Sequence, residues 1–174
     1  MGARRRHAAT GASPASEQAT SPRPEARAEA TVADPFAADE RPIVLYDGVC
    51  NFCNGGVNLV LDLDRNPRGS VRFAALQSDV GRSLLERCGR SPDDISSIVL
   101  VEKSAFYLKS DAVLRIGVAL GLPWSAMGNL ALLLLPRLVR DPAYDVVAAN
   151  RYRLLGIRDE CRLTDGRYAD RFLA

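Results

Sequence analysis

From position 42 onward the apolar residues fall into short blocks whose spacing changes from one block to the next. Ile43-Val44-Leu45-Tyr46 is a continuous apolar run closed by Asp47-Gly48, the pattern of a strand buried on both faces. Over residues 50 to about 65, Cys53, Val57, Val60 and Leu61 share one side while Asn58, Asp62 and Arg65 lie on others, which predicts an amphipathic helix. Asn66-Pro67-Arg68-Gly69 is a turn. Residues 70–75, with Val71 and Phe73 facing one way, predict a second strand and complete a βαβ unit. Ser78 is placed to cap a helix carrying Val80, Leu84, Leu85 and Cys88, and Gly89 suits its C-terminal stop.

Residues 98–101 and 105–108 form two further apolar runs separated by Glu102-Lys103-Ser104, the spacing of an antiparallel hairpin. Ser110 or Asp111 then caps a helix through Val113, Leu114, Ile116 and Leu120 to Gly121. The order β-α-β-α-β-β-α predicts an α/β fold, a three-layer sandwich with helices on both faces of one sheet. Residues 116–136 carry no charge and are long enough for a membrane span. Gly121-Leu122-Pro123-Trp124-Ser125 breaks the run and Asn129 interrupts the remainder, so two packed helices are expected, with a hydrophobic docking surface for a membrane partner as the alternative. Asp141-Pro142 reads as a cap and first-turn proline for a last helix through Val146, Val147, Tyr152 and Leu155, stopped by Gly156. The stretch from Arg158 onward is polar and short.

Residues 1–41 show no apolar periodicity and have Phe36 as their only aromatic. They are expected to form a disordered tail, leaving residues 42–174 as the domain. Arg4-Arg5-Arg6 is not followed by the apolar stretch of an export signal, so the cytoplasm is the expected compartment.

Composition narrows the function. The 174 residues are 47% hydrophobic and 25% charged, which suits a packed domain, and a net charge of +2 argues against a protein that coats nucleic acid. Four cysteines and one histidine exclude a dense disulfide scaffold and leave little for a Cys/His zinc site.

Cys50-Asn51-Phe52-Cys53 lies where the first strand turns into the first helix. A helix N-terminus offers unpaired N–H groups and partial positive charge, which stabilise a thiolate on the first cysteine. Spacing of three keeps both sulfurs on one helix face, so that Cys50 can attack a disulfide and Cys53 can resolve the mixed disulfide. A zinc half-site would need a second half, but Cys88 and Cys161 are isolated and His7 lies in the tail. Cys88, on an apolar helix face, reads as a core residue. Asp47-Gly48-Val49 also suggests a dehalogenase-like phosphatase, but that motif would place the nucleophile at Leu45 and so fails.

Asp47-Gly48-Val49-Cys50-Asn51-Phe52-Cys53 resembles the Asp-x-x-Cys-x-x-Cys signature of the DCC family of thiol-disulfide oxidoreductase-like proteins, relatives of thioredoxins. Arg72-Phe73-Ala74-Ala75-Leu76-Gln77-Ser78, Lys109-Ser110-Asp111-Ala112 and Asn150-Arg151-Tyr152-Arg153, leading to Gly156 and Cys161, are similar to later landmarks of that family. The resemblance implies a thioredoxin-like fold with additional C-terminal helices, Cys50 and Cys53 as the redox pair and Asp47 as the accompanying acid. The Asn51-Phe52 dipeptide lacks the proline of thioredoxins, and Pro92 lies well before the strand at Ile98, where thioredoxins place a proline beside the active sulfur.

Asp47 has two readings, as the acceptor of the Cys53 proton or as a turn aspartate bonding local backbone N–H groups. Cys161 is a candidate third redox thiol or a packing thiol. The expected activity is thiol–disulfide exchange of the protein-disulfide reductase type. It requires no cofactor beyond the Cys50–Cys53 dithiol, a disulfide-containing protein or small-molecule thiol substrate, and an upstream reductant. The alternative is a non-catalytic partner-docking module with a structural or metal-binding CxxC.

Overall fold

A computed structural model describes residues 34–157 and 166–173. The expected elements are present: β1 (Ile43–Tyr46), α1 (Asn51–Leu63), β2 (Arg72–Ala75), α2 (Asp79–Arg87), β3 (Val99–Val101), β4 (Phe106–Leu108) and α3 (Lys109–Ala119). They are followed by α4 (Trp124–Leu134), α5 (Arg137–Leu155), a 3-10 segment (Gly166–Arg171) and β5 (Phe172–Leu173). The five strands form one sheet in the order β4-β3-β1-β2-β5. β1 runs parallel to β2, with Val44 opposite Phe73, and antiparallel to β3, with Val44 opposite Leu100.

The continuous apolar run of β1 follows from its central position. Successive side chains point to opposite faces, and both faces are covered. Ile43 and Leu45 join Leu84, Leu85 and Cys88 on the α2 side, whereas Val44 and Tyr46 join Val57, Leu61 and Ile116 on the α1 and α3 side. Val71 and Phe73 both face the second of these clusters, as their alternation predicts. The result is a thioredoxin-like three-layer sandwich, with α4 packed on α3 and α5 packed on α1 and α3.

Packing begins before position 42. Phe36, placed by its sequence context in a disordered tail, is 1% exposed and belongs to the α2-side core. Arg72 holds this segment by donating to the carbonyls of Pro35 (2.8 Å), Asp39 (2.5 Å) and Arg41 (3.0 Å). The guanidinium groups of Arg72 and Arg87 lie 5.5 and 5.2 Å from the Phe36 ring centre. One aromatic anchored by distant arginines leaves no local periodicity to read.

Three further details differ from expectation. Neither Ser110 nor Asp111 caps α3, which starts at Lys109 without a side-chain cap. Both are buried instead. Asp111 pairs with Arg140 (2.5 Å) and Arg137, and Ser110 bonds Asp141. With Asp141 used in this way, α5 starts a turn earlier, after Pro136, and Pro142 lies inside it. Finally, β5 adds a parallel strand beside β2, and Phe172 stacks on Phe73 at 5.3 Å. It is anchored by Arg171, which bonds Val71 O (3.0 Å) and Asp64 (2.7 Å). Gly69 (φ 75°) faces that side chain, and a Cβ there would stand 2.5 Å from Arg171 Nε.

Among the described residues no helix is long and apolar enough to cross a membrane. The apolar charge-free stretch is two elements, as expected, but Leu133 and Leu138 at the α4–α5 corner are 81% and 89% exposed.

Phe36→Ala should lower unfolding free energy by about 3–5 kcal/mol in denaturant titration. A change near zero would show that the segment before β1 does not belong to the core.

Candidate functional site

The site is built where β1 ends. Asp47-Gly48-Val49 turns the chain so that Cys50, extended at φ −81° and ψ 117°, is the N-cap of α1, and the amide N–H of Cys53 points at Cys50 Sγ over 3.4 Å. The helix is expected from Cys50 and its first helical residue is Asn51. That single-residue difference makes the cysteine sulfur the capping acceptor of an otherwise unpaired N–H. Asn54, buried on the same face one turn on, donates to Gly48 O (2.8 Å) and Cys50 O (2.9 Å) and clamps the turn.

Asp47 is 3% exposed. Its Oδ1 accepts from Gln77 Nε2 (2.8 Å) and Val49 N (3.3 Å); its Oδ2 accepts from the Tyr152 hydroxyl and from Arg151 Nη2 (3.3 Å). Burial and the bond to Asp47 push the Tyr152 phenol above its ordinary range, so it remains a donor. Arg151 also donates to Ile95 O (2.9 Å) and Ala148 O (2.9 Å). Gln77, Asn54, Arg151 and Tyr152 were not singled out as functional by spacing. Gln77, Arg151 and Tyr152 sit in the landmark segments quoted above, and Asn54 is a polar residue on the buried side of an amphipathic helix.

The end of α5 also covers the first thiol. Asn51 donates from its backbone to Gly156 O (3.3 Å) and from Nδ2 to Leu155 O (2.9 Å), while Cys50 forms an isolated antiparallel bridge with Ile157. Cys50 is completely buried beneath this turn. Cys53 is half-buried and lies on the wall of a cavity of about 420 Å³. Burial above all, then the hydrogen bond and charge of Cys50 and the charge of Asp47, push the Cys53 thiol up to about 12, with Arg151 opposing.

The structure thus brings Asp47, Cys50 and Cys53 together. Cys88 sits in the core on the α2 side of the sheet, away from the pair. Cys161 and His7 lie outside the described residues. Among the described residues no group of three or more His, Cys, Asp or Glu side chains is placed to hold a metal ion.

Residues 44–157 match the model of the DCC1-like thiol-disulfide oxidoreductase family. A chloroplastic DCC family protein of Arabidopsis thaliana is 53% identical over 128 residues, which cover 74% of this chain and 73% of the relative. The uncharacterized protein YuxK of Bacillus subtilis strain 168 is 37% identical over 131 residues, 75% of this chain and 93% of the relative. No solved structure matches the chain. The matched segment runs from β1 to the turn over Cys50 and so contains the whole site, and the chain belongs to the DCC1-like thiol-disulfide oxidoreductase family.

Proposed function

We propose that this protein reduces disulfides by dithiol exchange, with Cys50 as nucleophile and Cys53 as resolving thiol, in a reducing compartment such as the cytoplasm. The observation that carries this reading is the position of Cys50 Sγ as the N-cap acceptor of the Cys53 amide N–H, which sets that sulfur at the positive end of α1, where the attacking atom of an exchange belongs. The Cys50 thiolate attacks one substrate sulfur, and the other leaves as a thiolate and takes up a proton. Cys53 then loses its proton and attacks Cys50 Sγ, releasing the second substrate thiol and leaving a Cys50–Cys53 disulfide. Two electrons pass to the substrate, and an upstream reductant restores the dithiol.

The raised Cys53 thiol suits the second step. While Cys50 is free, its hydrogen bond and charge help keep Cys53 protonated; both effects vanish once Cys50 Sγ is tied in a mixed disulfide. Asp47 is less suited to take that proton, because its two oxygens already accept from Gln77, Val49, Tyr152 and Arg151. Its role here is positional, holding the turn before Cys50 and opposing early ionisation of Cys53 by its charge.

Substrate can reach Cys50 only when the turn at Leu155, Gly156 and Ile157 moves aside. Gly156, at φ 76°, terminates α5 at this point and is a natural hinge.

Cys50→Ser should reduce insulin-disulfide reduction to the uncatalysed rate, while Cys53→Ser should accumulate mixed disulfides visible by mass spectrometry; full activity in Cys50→Ser would reject the nucleophile. Alkylation of Cys53 should rise about tenfold per pH unit well past the free-thiol value of about 8.5, because a raised thiol stays protonated until the pH approaches its higher value. Asp47→Asn should move that profile to lower pH by removing one of the charges that raise it; a plateau near the free-thiol value in the parent protein would contradict the assignment. Asn51→Ala removes one hydrogen bond from the covering turn, worth about 1 kcal/mol, and should speed Cys50 alkylation roughly fivefold.

A further inference from the structure

Cys53 shares its cavity with apolar side chains from four helices, among them Phe52 and Val60 of α1, Ile116 of α3, Trp124 of α4 and Val147 of α5. At about 420 Å³ the space falls within the range of small-molecule sites, roughly 300–1,000 Å³, and is larger than one amino-acid side chain fills.

Two glycines make this room. Gly56 in α1 and Gly117 in α3 both line the cavity, and a Cβ at either would have nothing within 4 Å. Neither has the positive φ that demands glycine. Each occupies a helix interior, where glycine costs about 1 kcal/mol relative to alanine. Gly81 and Gly128 differ, since a Cβ there would stand 2.0 Å from Ala75 O and 2.8 Å from Leu114 O. Those two glycines serve close packing, whereas Gly56 and Gly117 leave space unfilled beside the dithiol.

Access points the same way. Cys50 is shut beneath the end of α5 until that turn moves aside, while Cys53 lines the cavity directly. Among the described residues the cavity lining has no spare cation for a charged ligand, because its one cationic side chain, Arg151, is committed to Asp47, Ile95 O and Ala148 O. Burying a carboxylate there without a partner would be strongly unfavourable.

We propose that this cavity binds the apolar substituent of a low-molecular-mass, uncharged aryl or alkyl disulfide, whose sulfurs then lie beside Cys50 and Cys53. This rests on the exchange chemistry above: R–S–S–R takes two electrons and two protons from the dithiol and leaves as two R–SH, and the chain retains one disulfide.

Trp124, the only tryptophan of the chain, lines the cavity and reports occupancy without chemistry. In the full chain with all four cysteines replaced (Cys50→Ser, Cys53→Ser, Cys88→Ala and Cys161→Ser), dipyridyl disulfide should change Trp124 emission saturably, and glutathione disulfide at the same concentration should not. Gly56→Leu and Gly117→Leu should each weaken that response at least about tenfold. Gly56→Ala and Gly117→Ala should give a smaller loss with an equal or higher unfolding midpoint, which separates filling from misfolding. With the thiols intact, the leucine variants should slow reduction of dipyridyl disulfide and spare that of insulin. No Trp124 response, or one that all four glycine variants leave unmoved, overturns the site. An equal loss toward insulin overturns the small-molecule assignment in favour of a polypeptide side chain. A glycine-dependent Trp124 response together with undiminished disulfide reduction by Cys50→Ser supports the binding site while rejecting the exchange reading.

Discussion

The buried carboxylate of Asp47 is the constraint around which the motif is organised. An ionised carboxylate removed from water is costly by several kcal/mol unless its oxygens are met, and here four donors meet them. The donors come from the turn itself, from Gln77 after β2 and from Arg151 and Tyr152 near the end of α5. One charge therefore ties together segments about a hundred residues apart. Its effect is greatest on α5, which has no buried residue of its own. Polar contacts at both ends hold that helix in place: Asp111 with Arg140 near its start, Tyr144 accepting from Ile98 N at 2.9 Å along its length, and Asp47 with Arg151 near its end.

This explains which parts of the fold could be read from the sequence. Elements buried through periodic apolar positions were legible: β1 by its continuous run, β2 by the alternation of Val71 and Phe73, α2 by Leu84 and Leu85 with Ser78 as its cap. What escaped depends on contacts between distant residues. Phe36 is held by Arg72 and Arg87, β5 is only two residues long and is anchored by Arg171, and Asp141 looks like a cap locally but bonds Ser110 across the structure. No window of neighbouring residues contains that information.

The site was legible to the same degree. The spacing of Cys50 and Cys53 at a strand-to-helix turn located the pair, and an N-cap role for Cys50 follows from local backbone geometry alone. The difference in exposure between the two sulfurs does not. It arises because Leu155, Gly156 and Ile157 fold back onto Asn51 and Cys50, and because two glycines on different helices leave a space beside Cys53. Asn51, which in sequence is only a spacer between the cysteines, is the residue that fastens the cover.

The two sulfurs are thus controlled by different means. Cys50 has the geometry for reactivity but is covered; Cys53 is reached through an apolar space but is held protonated by burial and by its charged neighbours. Neither thiol is both open and ionised in this conformation, so adventitious oxidation, which needs both properties, is disfavoured. In the exchange proposed above, the cover opens and a substrate sulfur reaches Cys50, and capture of Cys50 in a mixed disulfide would remove two of the influences that raise the Cys53 thiol. In the proposed exchange the first step itself therefore eases ionisation of Cys53, while burial and the Asp47 charge still oppose it, and Asp47 can remain engaged with its four donors.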